Sequence, residues 1–360
     1  MFLKIYQNHL IKIYLSLLIK VTMIFLSLIL ILNIFEEISF FKDLDKGFYF
    51  PILLTLLNTP SLIYDLFPFI FLITTQFFFI NLLDKDELNV LKNYGLDNLK
   101  LIKLLAITSF LIGIIIIVLF YSFSSNMKFF YLDLKNQATV DNKYLAVITE
   151  NGVWIRDEIN NQVNIINAEV LTGDKLINVD ISQFDNNFNL IRFINSPEID
   201  ASQKVWIIKE AKIYDGSIET KLIKTLEFKS NFNSEKINNL FSNLSSLSII
   251  ELNQLKKDYK LLGYSSTDIS THLQKIYTYP FFLMLMTVLS SVIMLNIKNN
   301  QPRIFNLVLG ILVSVIIYYL NYFFTILGKS GNLPLSISSW IPILMIMIMI
   351  MIGLVRINEK

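Results

Sequence analysis

The chain contains no cysteine. That excludes a disulfide framework, a thiolate nucleophile and an iron–sulfur cluster. Histidine is nearly absent too: His9 and His272 are the only two in 360 residues, too few for a histidine-based zinc site. Charge is sparse and balanced, with acidic and basic residues together making 17% of the chain and a net charge of +2. A nucleic acid or other polyanion would find no electrostatic footprint on it. A soluble protein of this length needs far more charge to cover its surface. What the chain has instead is apolar residues, 54% of the total, with 29 phenylalanines among them. Such a composition suits a bilayer as solvent. The opening, MFLKIYQNHLIKIYLSLL, has no small-residue cleavage site after its apolar run and reads as a retained anchor.

A membrane-crossing helix needs ~20 mostly apolar residues. Six runs meet that requirement, at roughly 11–35, 51–83, 101–124, 278–297, 304–327 and 335–356. The second is longer than one bilayer core requires, and Pro60 and Pro68 inside it are expected to break or kink the helix. Between the third and fourth runs lies a long segment rich in Asn, Asp, Lys and Ser. Its first part alternates in strand fashion through KYLAVITE, GVWIRDE, NQVNIINAEVL, KLINVDISQF, FNLIRFI, QKVWIIKEAKIY and IETKLIKTLEF, with NG, TGD, DNN and DG turn signals between them. Seven or more short strands at this spacing predict a sandwich or jelly roll. The rest of the segment reads as helices returning to the membrane. The expected organisation is three spans over 1–124, a β domain over 125–232, a helical return over 233–277 and three spans over 278–360. The fold class is therefore an α-helical membrane protein with six transmembrane helices, three plus three, around an inserted extracytoplasmic β-jelly-roll-like domain.

Short loops rich in Lys and Arg stay in the cytoplasm. An inside amino terminus puts Lys4, Lys12, Lys85, Lys92, Lys100, Lys103, Lys298, Arg303, Arg356 and Lys360 on the cytoplasmic side. Only Lys42, Lys46 and Lys329 then sit in short outer loops. This bias predicts both termini inside and the β insert outside.

The stretch DKDELNVLKNYGLDN, residues 84–98, interrupts two apolar runs with its own helix-start signal. Asp84 and Glu87 are spaced as a capping box, Leu88, Leu91 and Tyr94 make an apolar stripe at helical spacing, and Gly95 is a stop. The expected element is a short amphipathic helix at the cytoplasmic membrane surface. It either reverses the chain, with Glu87 spent on its own cap, or serves as a docking point. Lys20 lies inside the first apolar run, where it snorkels inward or faces a polar cavity. Asp65, between two prolines, is either a functional intramembrane carboxylate or a residue near the outer interface. Gly328, Lys329 and Ser330 look like the end of a phosphate-binding loop, but Phe323 stands where its first glycine is required. No nucleophile triad, carboxylate pair or ligand set stands out within the spans, which argues against intrinsic catalysis. Three classes remain: a transport subunit driven by a separate ATPase, an intramembrane enzyme, and a structural scaffold presenting a β domain.

Several ordered stretches resemble the lipopolysaccharide-export permease family LptF/LptG. They are DLDKGFYFPILLTLLNTPSLIYDLFPF, DELNVLKNYGLDNLKLIK, YPFFLMLMTVLSSVIM and RIFNLVLGILVSVIIYYLNYFFTILGKSGNLPLSISSWIP, and they cover both membrane halves. The proline pair with its adjacent Tyr, and KGFYF before it, favour LptG over LptF. The resemblance implies an LptF–LptG heterodimer seated on an LptB ATPase dimer, with LptC as a further partner. It implies extraction of lipopolysaccharide from the bacterial inner membrane toward a periplasmic bridge; a permease for a different lipid is the alternative. No cofactor is expected on this chain, since ATP and Mg would sit on the ATPase. The coupling helix of the family maps onto Asp84, Asp86, Glu87, Leu88, Leu91, Tyr94 and Gly95, with Asp86 where the family has Ser and Glu87 as the docking acid. Head-group phosphate contact near the outer end of the first span would fall to Lys42 and Lys46, which follow Asn33, Glu36 and Glu37.

Overall fold

A computed structural model describes residues 4–42, 47, 49–138, 153–159, 162–185, 189–215, 218–234, 237, 243–261, 265–296, 303–329 and 333–358. The chain divides into two units, Met1–Tyr131 with Thr267–Lys360, and Leu132–Ser266.

Six helices in the described residues are long and apolar enough to cross a membrane: Ile5–Phe40, Tyr49–Asp84, Asn98–Lys135, Thr267–Leu295, Ile304–Gly328 and Ser336–Val355. They are termed the first to sixth spans. The third is longer than its apolar run because the polar stretch Ser122–Ala138 continues the helix after a π-helical turn at Ile116–Tyr121. The second and fourth spans form the centre, with 61% and 67% of their apolar windows buried, against 17% for the first and the fifth.

Of the break or kink expected at Pro60 and Pro68, the break does not occur: the second span is one continuous helix across both prolines. Proline at 68 has no N–H, so the carbonyl of Tyr64, four residues back, loses its helical donor. The Tyr279 hydroxyl of the fourth span donates to that carbonyl, and the two tyrosine rings stack with centroids 4.6 Å apart. A neighbouring helix thus satisfies the group that proline orphans, as a bilayer interior demands.

Polar side chains also join other spans. The buried Tyr14 hydroxyl of the first span lies 3.0 Å from Ser109 Oγ of the third and 3.3 Å from Thr287 Oγ1 of the fourth. Gln76 Nε2 of the second span donates to the carbonyls of Asn306 at 3.0 Å and Leu307 at 3.3 Å on the fifth. Its amide occupies the space where a Cβ on Gly310 would stand. Gly113 lets the third span approach the fourth closely: a Cβ added there would lie 2.9 Å from Pro280 Cα. Backbone cannot yield as a side-chain tip can, so Gly113→Leu should cost about 1–3 kcal/mol of stability. A thermal melt in detergent checks this, and a wild-type midpoint would contradict the close approach.

The second unit holds one antiparallel sheet of six described strands: β1 (Val153–Ile159), β2 (Gln162–Thr172), β3 (Lys175–Phe184), β4 (Leu190–Asp200), β5 (Val205–Asp215) and β6 (Ile218–Lys229). Each pairs with the next in sequence, so the sheet is a meander, and the inserted β domain expected from the alternation is present. The first expected strand, KYLAVITE, lies outside the described residues. Between β2 and β3, Gly173 takes a φ of +59° in the hairpin turn that the TGD signal marked. Alternate residues Val153, Ile155, Ile166, Ala168, Val179, Ile181, Trp206 and Ile208 make the buried face. The sheet's first strand is tied to the segment after its last: Asp157 of β1, fully buried, accepts from Ser230 Oγ at 2.8 Å, from Asn231 N at 3.0 Å and from Asn231 Nδ2 at 2.8 Å. The return segment contains the helix Ile249–Leu261.

Candidate functional site

The short helix after the second span runs from Glu87 to Asn93. Asp84 is the last residue of the second span. The helix N-cap is Asp86, and its φ of 58° is a left-handed conformation that Asp tolerates better than most residues. Its carboxylate accepts from Asn89 Nδ2 at 2.6 Å. The capping box expected from Asp84 and Glu87 does not form, because the helix starts two residues later than that reading requires and Glu87 points elsewhere. Glu87 Oε2 lies 3.2 Å from His9 Nε2, near the start of the first span.

Seven residues of helix are marginal in isolation, so packing has to hold them. Leu88 does this. It is buried in a cluster with Leu10 and Tyr14 of the first span, Phe78, Phe79 and Leu82 of the second, and Leu101 and Leu105 of the third, with Leu91 and Leu96 packed against it. The far end closes as a Schellman motif: Gly95 has a φ of +80°, its N–H donates to Lys92 O at 2.9 Å, and Leu96 N donates to Leu91 O at 3.0 Å. One side of the helix is thereby committed to the bundle. The other presents Val90, 48% exposed, and Tyr94, 88% exposed, flanked by exposed Asn89, Lys92 and Asn93. Tyr94 is thus separated from Leu88 and Leu91, with which the stripe pattern had grouped it. An exposed apolar pair rimmed by polar residues is the chemistry of a protein contact surface.

At the opposite end of the first span, Asn33, Glu36 and Glu37 part company. Asn33 and Glu37 are buried, whereas Glu36 is exposed. Glu37 Oε1 accepts from Tyr131 Oη at 2.7 Å. Asn58 donates to Asn33 Oδ1 at 3.3 Å and accepts from Lys128 Nζ at 2.6 Å, and that ammonium stands 4.6 Å from the Tyr131 ring centroid. Sequence reasoning did not single out Asn58, Lys128 or Tyr131. The readable signal was the four-residue spacing of Asn33 and Glu37, which puts both on one helix face. Lys42 follows the first span and is exposed; Lys46 lies outside the described residues. Lys20 is exposed on the side of the first span that also shows Ile24 and Ile31. Asp65 has Lys275 and Lys128 as its neighbouring opposite charges; the ring of the preceding Tyr64 meets that of Tyr121 edge-on, and Tyr121 Oη lies 3.1 Å from His272 Nε2. Among the described residues no group of three or more His, Asp or Glu side chains is placed to hold a metal ion.

Compared with known families, residues 8–356 match the family model described as lipopolysaccharide export system permease LptF/LptG, which covers both permeases together. No curated protein matched the chain.

Proposed function

The chain belongs to the LptF/LptG family of lipopolysaccharide export permeases, and from that membership we propose that it is the permease subunit through which a separate ATPase drives lipid out of the bacterial inner membrane. The observation that carries this reading is the short helix Glu87–Asn93, anchored in the bundle by Leu88 and bare at Val90 and Tyr94. An LptB dimer would grip that bare side together with Glu87, and ATP-driven closure of the motor would move the spans to which the helix is fastened. The chain has no nucleotide-binding motif of its own, so the energy enters here.

The first and fifth spans, least covered by their own chain, support a role in lining a cavity shared with a paired permease, LptF if this chain is LptG. Acyl chains gain nothing by leaving one apolar solvent for another, so collapse of that cavity, and not affinity for it, has to expel the lipid. Exposed Lys42 is a candidate contact for head-group phosphate. The β domain would receive the lipid outside the membrane, beside LptC, and pass it along strand edges.

The test is purification of the full chain with its permease and ATPase partners, reconstitution in vesicles of defined lipid, and measurement of ATP-dependent lipopolysaccharide release. Release that proceeds without an ATPase, or an ATPase that fails to bind, rejects the reading. Orientation has its own check. A tag after Lys360 should be reachable only from the cytoplasmic side, and protease access from the periplasm would overturn it.

A further inference from the structure

The contact between His9 and Glu87 joins residues 78 apart in sequence and links the first span to the short helix. Glu87 has only acceptor atoms as a carboxylate, so the proton in this bond resides on His9 Nε2, which donates. The neighbouring layers reinforce the link. Leu10, one residue on, is buried in the same cluster as Leu88, and one helical turn beyond it Tyr14 bonds the third and fourth spans through Ser109 and Thr287. The short helix connects to the second and third spans through the backbone. Its link to the first span, which like the fifth has an open apolar face, is made by side chains alone.

We propose that His9 is a positioning residue of the transport cycle: it clasps Glu87 so that displacement of the short helix is delivered to the first span. The proposal rests on the docking role assigned above to that helix. Both side chains are partly exposed, at 58% for His9 and 29% for Glu87, and an exposed pair of this kind adds little to stability. The clasp therefore sets direction more than it holds the fold together, and its removal leaves the chain folded.

The experiment uses the full permease complex with its ATPase in lipopolysaccharide-containing vesicles, and reads ATP hydrolysed and lipid released together. His9→Ala should keep ATPase copurification and basal hydrolysis, yet release roughly threefold or more less lipid per ATP, a loss of coupling that a bystander residue would not cause. His9→Gln, whose side-chain amide can still donate to the carboxylate, should recover most of the ratio. A wild-type ratio in His9→Ala, or a failure of His9→Gln to improve on it, overturns the clasp while leaving the docking role of the helix standing. A wild-type complex that releases lipid with no ATPase bound removes the docking role and the clasp together.

Discussion

Glu87→Lys should abolish lipid export while the chain still inserts and folds. Three effects act in the same direction. Glu87 is the first residue of its helix, where the helix dipole favours a negative charge by about 0.3–1 kcal/mol, and lysine reverses the sign. The replacement sets an ammonium beside His9, 3.2 Å away in the native contact, so the clasp is lost. At the proposed motor interface, placing like charges where opposite ones met costs several kcal/mol, and each ~1.4 kcal/mol is a tenfold loss of affinity. Copurifying ATPase should fall at least ~10-fold by this arithmetic, and lipid release with it. Leu88 stays in its cluster and the dipole effect is small against the packing of the whole bundle, so the variant should show wild-type abundance in the membrane and a melt lowered only slightly. Full export with normal ATPase binding would mean that the short helix is only a turn.

Asp157→Ala should loosen the β domain without disturbing the spans. The native carboxylate is fully buried and takes three hydrogen bonds from Ser230 and Asn231. Alanine takes the acceptor away from the buried Ser230 hydroxyl and from the two Asn231 donors, at a cost of about 1–3 kcal/mol. The loss would fall on the tie between β1 and the segment after β6, so amide exchange in β1 and β6 of the full-length protein should rise first. Asp157→Asn keeps one acceptor oxygen and should show a smaller rise. Wild-type exchange in Asp157→Ala would show that the latch contributes nothing to closure.

The two predictions draw on residues of unequal legibility. Glu87 was legible as an acidic helix-start residue before an apolar stripe, between two hydrophobic runs, where the pattern left capping and docking both open. Asp157 carried no such signal: within GVWIRDE it occupies an inward position of an alternating strand, where a carboxylate looks like a pattern error. Only the arrival of Ser230 and Asn231, more than 70 residues later in the chain, explains it. The same contrast separates Pro68, which pointed to a break or a kink, from the Tyr279 hydroxyl that satisfies the carbonyl the proline orphans. It separates Asn33 and Glu37, which looked like part of an outer rim, from Asn58, Lys128 and Tyr131, which draw them inside.

What the amino-acid order settled by itself was the partition of the chain: six spans, a β insert between the third and fourth, a stop at Gly95 and a polar interruption after the second span. Those features depend on local quantities, because transfer of each apolar side chain from water, the period of two in a strand and the φ of a glycine all act within a few residues. What tertiary structure alone decided was where the polar groups inside that partition found their partners. His9 with Glu87, Glu37 with Tyr131 and Tyr279 with the Tyr64 carbonyl are separated by 78, 94 and 215 residues. A buried donor or acceptor must be satisfied by whatever the fold brings near it, and which group arrives is a property of the packed helices and not of the neighbouring letters.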